Sequence, residues 1–252
     1  MLGGLENMKC ILLAAGRGTR ISRHIQAIPK STLPIDGNKP LIRYTVEMLI
    51  EMGIEPIVCA GYKRDNVHDA LSGLDVKFYY NPFYSITNSI ASLWFAKDEL
   101  EEDTIVMNAD VFLEKDFITA LTKNECKAVM ASDSNPERKE KGDFFFSVNE
   151  NSCISKYGKD LPLEDRDTEY VGIAKISSRF IGQFKDRLES LIEQGHFDAW
   201  WENVLYSFAD LDEEAIETID VGKYFWREID YIDEYEEILN YVKMKKRRKE
   251  DE

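Results

Sequence analysis

The chain has 252 residues, 44% of them hydrophobic, and a formal net charge of −15 at pH 7. Its length and apolar content suffice for one large domain with its own core. The acidic excess argues against nucleic-acid binding, which needs clustered Lys and Arg to neutralise phosphates. No apolar run reaches the roughly 18 to 20 residues that span a bilayer, so no membrane insertion is expected.

The N-terminus and the cysteines both favour a cytoplasmic protein. The start "MLGGLENMK" lacks the basic residues and apolar core of a secretory signal. The four cysteines lie far apart and form no C-x-x-C pair, a pattern typical of a reduced compartment. We therefore expect a cytoplasmic protein with neither a zinc site nor a disulfide framework; the sequence leaves the oligomeric state open.

The first half of the chain alternates short apolar runs with helical patterns. The strand-like runs are "KCILLA", "PIVCA", "VKFYY" and "TIVMN". Between them, "PLIRYTVEMLIEM" and "SIASLWFAKDEL" place apolar residues near helical spacing. This alternation predicts repeated βαβ units around a parallel sheet.

The second half is richer in strands. The closely spaced runs "FFFSVN", "CISKY" and "YVGIAKI" precede two predicted helices, from Ser178 to Gln194 and from Phe197 to Phe208. This order predicts a mixed sheet. No Ser-, Gly- or Pro-rich linker divides the chain, so residues 8–242 are expected to form a single domain. The charged tail, residues 243–252, is expected to be solvated and frayed.

A glycine-containing loop, "LAAGRGTR" from Leu13 to Arg20, directly follows the first predicted strand. Ligands of α/β sheets bind at that carboxyl edge. The loop is not a P-loop, because G-x-x-x-x-G-K-[ST] is absent, and Ile21 replaces the third glycine of a dinucleotide fingerprint. Gly16 and Gly18 would still let the backbone approach phosphates. An ordinary turn without a ligand is the alternative.

The segment after this loop makes the pattern specific. "IPK" ends at Lys30, and "TLPIDGNKPLIRYTVEML" follows it. The run from Leu13 to Leu49 resembles the nucleotidyltransferase family that includes sugar-1-phosphate nucleotidylyltransferases and bacterial phosphocholine cytidylyltransferases. The resemblance implies a Rossmann-like α/β fold with a mixed, mainly parallel central sheet flanked by helices. It also implies a nucleotide-binding half, residues 8–123, and an acceptor-binding half, residues 124–242.

The resemblance also implies how a nucleoside triphosphate would be bound. The residues expected against the base and ribose are Leu13, Ala14, Ala15 and Gly16, and Asn88 is also expected to bind the nucleotide. Those expected around the β and γ phosphates are Gly18, Thr19 and Arg20. Lys30 is expected at the α phosphate and, with Arg20, to be catalytic, since cationic groups stabilise charge that develops on phosphate oxygens. Taken alone, Lys30 is equally consistent with an ordinary surface lysine.

Two aspartates are the candidate metal ligands. Asp110 follows the strand pattern "TIVMN", and Asp230 ends "EID", which resembles the Glu-hydrophobic-Asp of the family. Mg²⁺ is commonly held by one or two carboxylates together with substrate phosphates, so these two would suffice. For each aspartate, the alternative is that it caps a helix or stabilises a turn. The Asp-x-Asp of related glycosyltransferases is missing, because Phe112 takes the place of its second acid.

Two further segments narrow the resemblance to phosphocholine cytidylyltransferases. They are "NPFYSITNSIASLWFAKDEL", which contains Asn88, and "HFDAWWENVLYSF", which contains Trp200 and Glu202. A quaternary ammonium is recognised by aromatic faces and carboxylates. On the predicted helix only one of the two adjacent tryptophans would face a ligand while the other packs in the core. The matching position in the resemblance implies that Trp200 faces the ligand. Two core tryptophans are the alternative.

Lys159, in "KYGKDLP", resembles the lysine of the family that holds the acceptor phosphate. A solvated loop lysine is the alternative for this residue.

The sequence therefore predicts a Mg²⁺-dependent enzyme that joins CMP from CTP to a small phosphorylated acceptor, choline phosphate, and releases pyrophosphate. No catalytic base is needed, because a phosphomonoester is already largely dianionic at neutral pH. A sugar 1-phosphate or an aminoalkylphosphonate is the alternative acceptor. A nucleotide-binding regulatory module without catalysis is the alternative of another class.

Overall fold

The structure is a computed structural model that describes residues 8–18, 28–212 and 215–250. Its strands are β1 (Lys9–Ala14), β2 (Pro34–Asp36), β3 (Lys39–Pro40), β4 (Glu55–Ala60), β5 (Lys77–Tyr80), β6 (Thr104–Asn108), β7 (Val111–Phe112), β8 (Ala128–Asp133), β9 (Phe145–Val148), β10 (Ile154–Gly158), β11 (Thr168–Ile176), β12 (Glu217–Asp220) and β13 (Arg227–Glu228). Its α-helices are α1 (Leu41–Glu51), α2 (Arg64–Ala70), α3 (Ser89–Phe95), α4 (Lys115–Thr122), α5 (Pro136–Lys141), α6 (Ser178–Glu193), α7 (Asn203–Ala209) and α8 (Ile232–Glu250).

A nine-stranded sheet with the order β10-β9-β11-β6-β1-β4-β5 forms the centre of the molecule, and β8 lies against β11 and β12. The neighbours β6, β1, β4 and β5 are parallel, because helices α1 to α3 return the chain between them. The antiparallel strand β11 then joins this core to the strands of the second half. The predicted mixed, mainly parallel sheet flanked by helices is confirmed.

Alternate residues of β1 enter two separate cores. Cys10 and Leu12 pack with the apolar face of α1, whereas Ile11 and Leu13 pack with α3. A strand that is buried on both faces needs a continuous apolar run rather than strict alternation. This explains why "CILLA" can form the centre of the sheet.

The functional edge of the sheet lies where β1 and β6 end. The amide of Ala109 donates a hydrogen bond to the carbonyl of Leu13 at 3.1 Å, so the two strands deliver the glycine-containing loop and Asp110 side by side. The two-stranded ribbon of β7 and β13 pairs Val111 with Glu228, and the amide of Ile229 donates to the carbonyl of Asp110 at 3.0 Å. Asp230 is thereby brought next to Asp110.

The C-terminal helix α8 covers this ribbon. Its Ile238 packs in a small core with Leu33 and Phe112. The expected frayed tail is wrong, because α8 continues to Glu250 and its Lys245 is paired with Glu114. Within the described ranges, no helix is both long and apolar enough to cross a membrane.

Some elements differ from the sequence prediction. The helix predicted from Phe197 to Phe208 is confirmed only in its second half, since residues 197–202 form turns and bends and α7 covers Asn203–Ala209. The strand β8 has every residue buried, although its sequence "AVMASD" contains small and polar residues that are weak strand formers. Its strand state comes from pairing with β11 and β12, which no local pattern reveals.

We expect the two adjacent tryptophans to differ sharply in their effect on stability. The side chain of Trp201 is fully buried, and its Nε1 donates to Asn108 Oδ1 at 3.2 Å, whereas Trp200 is 41% exposed. Trp201→Ala should lower the free energy of unfolding by about 3 to 5 kcal/mol because it leaves a large cavity. Trp200→Ala should cost less than about 1 kcal/mol. Urea unfolding of both variants checks this, and equal losses would contradict it.

Candidate active site

A cleft of about 300 Å³ opens at the carboxyl ends of β1 and β6. The predicted site residues that line it are Leu13, Ala14, Ala15, Gly16, Gly18, Lys30, Asn88, Asp110, Trp200 and Glu202. Lys159 and Asp230 line an adjoining cavity. Thr19 and Arg20 lie outside the described residues. The structure thus brings together residues from distant parts of the sequence at one edge of the sheet.

Lys30 forms the centre of the charge network. It begins the short 3-10 helix Lys30–Thr32, and its Nζ donates to Asp230 Oδ1 and lies 3.4 Å from Asp110 Oδ2. Burial disfavours the ammonium form, but the carboxylates of Asp110 and Asp230 outweigh this effect and raise the pKa of Lys30. The lysine is therefore a cation at neutral pH.

The sequence prediction missed a third acid, Glu228, which lines both the cleft and the adjoining cavity. Burial, and then the charges of Asp110 and Asp230, raise the pKa of Glu228 well above its usual value. The signal was present, because alternate residues of the extended "EID" segment point to the same side. The Lys30 ammonium thus faces three acidic groups, Asp110, Glu228 and Asp230, and this environment suits a further cation.

Gly18 fits closely against Lys30. It has a φ of +59°, and a Cβ atom at this position would lie 2.6 Å from Lys30 Cγ. A side chain here would be strained by the backbone conformation and would also push the lysine out of place. The glycine therefore allows the loop to pass beside the aliphatic stem of Lys30.

The opposite wall of the cleft is the segment leading into α3. Asn88 accepts a hydrogen bond from the amide of Ser89 at 2.8 Å and thereby caps this helix. Asn81 begins the segment "NPFYSITNSIASLWFAKDEL" and also lines the cleft, although the sequence did not predict it as a site residue. Its buried amide donates to Thr87 Oγ1 and to Ser92 Oγ, both at 3.0 Å, which fixes the loop between them. Polar groups are thus held in place along this wall.

The adjoining cavity, of about 150 Å³, shares Asn108, Trp200, Glu202 and Glu228 with the cleft. Its aromatic lining consists of Phe144, Tyr170, Trp200 and Tyr206. Phe144 stacks on Tyr206 with centroids 5.5 Å apart and meets Trp200 edge-on at 5.9 Å. We call this space the acceptor cavity, because these aromatic residues belong to the half of the chain, residues 124–242, that the sequence resemblance implies to bind an acceptor.

Lys159 and Trp200 are in direct contact in the acceptor cavity. The Lys159 ammonium lies 5.2 Å from the centroid of the Trp200 ring and is 2.6 Å from Asp143 Oδ2. Trp200 is exposed and Trp201 buried, as expected, but the helical reason given for this difference is wrong because both residues lie in a turn. The Lys159 ammonium therefore occupies the face of the Trp200 ring that was predicted to bind a ligand.

Two buried glutamates also line the acceptor cavity. Burial raises the pKa of Glu202 to about 7, although a hydrogen bond from its own backbone amide opposes the rise. Glu169, which the sequence prediction did not include, has its pKa raised by burial to about 8, opposed by its hydrogen bond from the Asp143 amide. Nothing in the local sequence distinguishes Glu169, because only the folding of β11 places it here.

Among the described residues, no set of three or more His, Cys, Asp or Glu side chains is arranged to hold a metal ion by itself. Any cation bound here would therefore need oxygen atoms from a ligand or from water to complete its coordination.

Comparison with known proteins places the chain in a family. The sequence signature described as the MobA-like NTP transferase domain matches residues 10–199. The chain is 26% identical to the choline-phosphate cytidylyltransferase of Streptococcus pneumoniae over 249 residues. This aligned region covers 94% of this chain and 99% of that protein. Over 217 residues it is 25% identical to the 2-aminoethylphosphonate cytidylyltransferase of Lancefieldella rimae, covering 82% and 83% of the two chains.

A solved structure shares the fold. The inositol-1-phosphate CTP transferase from T. maritima superposes with a TM-score of 0.75 at 22% identity, covering 95% of this chain and 97% of that one. The resemblance inferred from the sequence is confirmed, since the family signature spans the glycine-containing loop, Lys30, Asp110 and the turn up to residue 199. The chain belongs to the MobA-like NTP transferase domain family and is a nucleotidyltransferase.

Proposed function

We propose that this protein transfers CMP from CTP to choline phosphate and releases pyrophosphate. One observation carries the proposal: a polar cleft and an aromatic, acidic cavity share a wall, and the Lys30–Asp110–Asp230 network lies at their junction. A nucleotidyltransferase needs this arrangement, because a triphosphate and an acceptor must meet at one phosphorus atom. In this proposal, residues 8–123 bind the nucleotide and residues 124–242 bind the acceptor.

The nucleotide would occupy the cleft. Its base and ribose would lie against the backbone of residues 13–16 and near Asn88, all of which line that space. Gly18, Thr19 and Arg20 would surround the β and γ phosphates, and Lys30 would contact the α phosphate. An ammonium held in a partly desolvated cleft stabilises charge that develops on phosphate oxygens more strongly than it would in water.

The reaction would be an in-line displacement at the α phosphorus. An oxygen of the acceptor phosphate forms the new P–O bond, the bond to the bridging β-phosphate oxygen breaks, and pyrophosphate leaves with that electron pair. Because the acceptor phosphate is already largely dianionic at neutral pH, no residue has to remove a proton. The task of Lys30 is to position the two anions and reduce their repulsion.

The carboxylates of Asp110 and Asp230 fit a Mg²⁺ ion. They are hard oxygen donors, they both reach the same ammonium, and two carboxylates plus phosphate oxygens form a usual magnesium site. When bound, Mg²⁺ would supply charge neutralisation at the phosphates. Lys30 in the present structure occupies the space between the two acids and would then be free to turn towards the α phosphate.

The acceptor would bind in the cavity that adjoins the cleft. Trp200 and Glu202 offer an aromatic face and a carboxylate, the two kinds of group that recognise a quaternary ammonium. Lys159 would hold the acceptor phosphate. A phosphonate that carries a primary ammonium would meet the same groups, and one relative is a 2-aminoethylphosphonate cytidylyltransferase. This acceptor is therefore the second candidate.

The direct test is a pyrophosphate-release screen of the four ribonucleoside triphosphates with choline phosphate, ethanolamine phosphate, 2-aminoethylphosphonate and hexose 1-phosphates. We expect CTP with choline phosphate to give the highest kcat/KM. A preference for 2-aminoethylphosphonate would select the second candidate. A preference for a hexose 1-phosphate, or no release with any pair, would contradict the proposal.

Replacement of either candidate metal ligand should abolish turnover and leave the fold intact. Asp110→Asn and Asp230→Asn each remove a charge that would hold the cation, so kcat should fall by at least about a hundredfold. Mn²⁺ binding, followed by electron paramagnetic resonance in the presence of CTP, should weaken in parallel. Asp69→Asn, on an exposed position of α2, is the control. Normal Mn²⁺ binding by the two variants would contradict the assignment.

The role of Lys159 can be separated from that of Trp200. Lys159→Met removes the ammonium and keeps most of the side-chain volume. If Lys159 binds the acceptor phosphate, the KM for choline phosphate should rise roughly tenfold, whereas binding of choline without its phosphate should not weaken. Isothermal titration of choline and steady-state kinetics measure the two effects. A lower KM for choline phosphate would instead show that Lys159 competes with the substrate for the Trp200 face.

A further inference from the structure

Glu169 is a buried carboxylate that borders the acceptor cavity. It lies on β11 and is 6% exposed. Its Oε1 accepts a hydrogen bond from the Asp143 amide at 3.0 Å, but its Oε2 has no hydrogen-bond partner within the described part of the chain. A buried carboxylate oxygen without a donor is costly, so native proteins rarely keep one without a reason.

One cation is shared between Glu169 and a second buried acid. Arg138 Nη1 lies 3.4 Å from Glu169 Oε2, and Arg138 Nε lies 3.7 Å from Asp133 Oδ2. Asp133 has good donors of its own, because it accepts hydrogen bonds from Trp226 Nε1 at 2.8 Å and from the Asn135 side chain at 2.7 Å. Among the described side chains, one guanidinium therefore serves two acids, and Glu169 is the less satisfied of them.

Packing prevents Glu169 from turning away from the cavity. A Cβ atom on Gly142 would lie 2.5 Å from Glu169 Cδ, so the backbone of residue 142 is pressed against the carboxyl group. The backbone of Glu169 is fixed as well, because it pairs with Asp133 of β8 on one side and with Phe145 of β9 on the other. The carboxylate is therefore held at the cavity wall rather than left free to reach solvent.

The position of Glu169 differs from that of Glu202. Glu202 borders both the cleft and the acceptor cavity, whereas Glu169, in the described structure, borders the acceptor cavity alone. An acceptor whose phosphate lies between Lys159 and the cleft, where it can reach the α phosphorus, must extend its other end away from the cleft. Aromatic rings line the same cavity, including Phe144 and Tyr170. A carboxylate beside aromatic faces attracts a cation.

We propose that Glu169 is a specificity-determining residue that holds the cationic end of the acceptor and thereby selects an ammonium-bearing acceptor over a neutral one of the same shape. This inference rests on the proposed nucleotidyl transfer to a small phosphorylated acceptor, and it adds to Trp200 and Glu202 a second acidic group, one that borders the acceptor cavity but not the cleft in the described structure. Burial raises the pKa of Glu169, which favours its neutral form in the empty cavity, and a cation bound beside it would favour the ionised form.

The test compares choline phosphate with 3,3-dimethylbutyl phosphate, in which a carbon atom replaces the positive nitrogen. The native enzyme should prefer choline phosphate, and Glu169→Gln should lower that preference by roughly tenfold. The loss should lie in the KM of choline phosphate, with the KM of CTP unchanged. Asp133→Asn is the matched control, since Asp133 faces the same guanidinium but does not line the acceptor cavity.

A binding experiment separates this inference from the proposed function. Titration with tetramethylammonium, followed by tryptophan fluorescence without nucleotide, should show weaker binding to Glu169→Gln than to the native protein and to Asp133→Asn. This result would support Glu169 even if the turnover screen selected another acceptor. An unchanged preference in Glu169→Gln, an equal loss in Asp133→Asn, or no binding of the cation to the native protein would overturn the proposal.

Folding of the variants is checked by thermal melting. Should Glu169→Gln fail to fold because Arg138 loses its partner, the double variant Glu169→Gln/Arg138→Gln removes both charges together. It should show the same loss of preference for choline phosphate and of tetramethylammonium binding. A double variant that keeps the native preference would also overturn the proposal.

Discussion

The antiparallel pairing of β7 with β13 is the constraint on which the site depends. It joins Val111, just after the central strand β6, to Glu228, close to the final helix. Without this pairing, Asp230 would not be held next to Asp110, and Lys30 would lose one of its two ion-pair partners. The small core beneath α8 holds the ribbon in place, and Glu234 accepts hydrogen bonds from the amides of Asp230 and Tyr231 at 2.7 and 2.8 Å. A change in α8 therefore acts on the catalytic edge through the backbone.

Much of the fold follows from local patterns because the central strands are continuous apolar runs. β1 and β6 begin and end where the sequence predicts, and so the positions of Leu13 and Asp110 at the carboxyl edge could be derived without coordinates. β8 could not be predicted in this way, since its six residues acquire strand structure from two neighbours that are distant in sequence. The turn at residues 197–202 was missed for a similar reason: its aromatic residues sit at helical spacing, yet its amides bond elsewhere, as that of Trp201 does to Ser89 Oγ at 2.9 Å.

The site residues divide in the same way, into those that a local sequence pattern reveals and those that depend on contacts between distant segments. Lys30, Asp110 and Asp230 are recognisable because each stands in a short motif with a fixed neighbour. Glu228 was visible as part of "EID" but was not counted. Glu169 has no motif at all, and its environment is created by Gly142, Arg138 and the pairing of β11 with β8 and β9. Sequence patterns therefore locate residues that stand in a recognisable motif, whereas a residue such as Glu169, whose surroundings come from distant segments, emerges only from packing.

The electrostatics of the two cavities imply that anions bind by exchange of partners. The protein carries a large negative charge, and its two cavity lysines are already engaged: Lys30 with Asp110 and Asp230, and Lys159 with Asp143. A phosphate must therefore replace a carboxylate as the neighbour of an ammonium, and the released carboxylate then needs a cation of its own. A divalent metal ion can satisfy the acids beside Lys30. The positive end of an acceptor can satisfy those around the acceptor cavity. Binding of anion and cation thus becomes coupled, because neither exchange is complete while the opposite charge is missing.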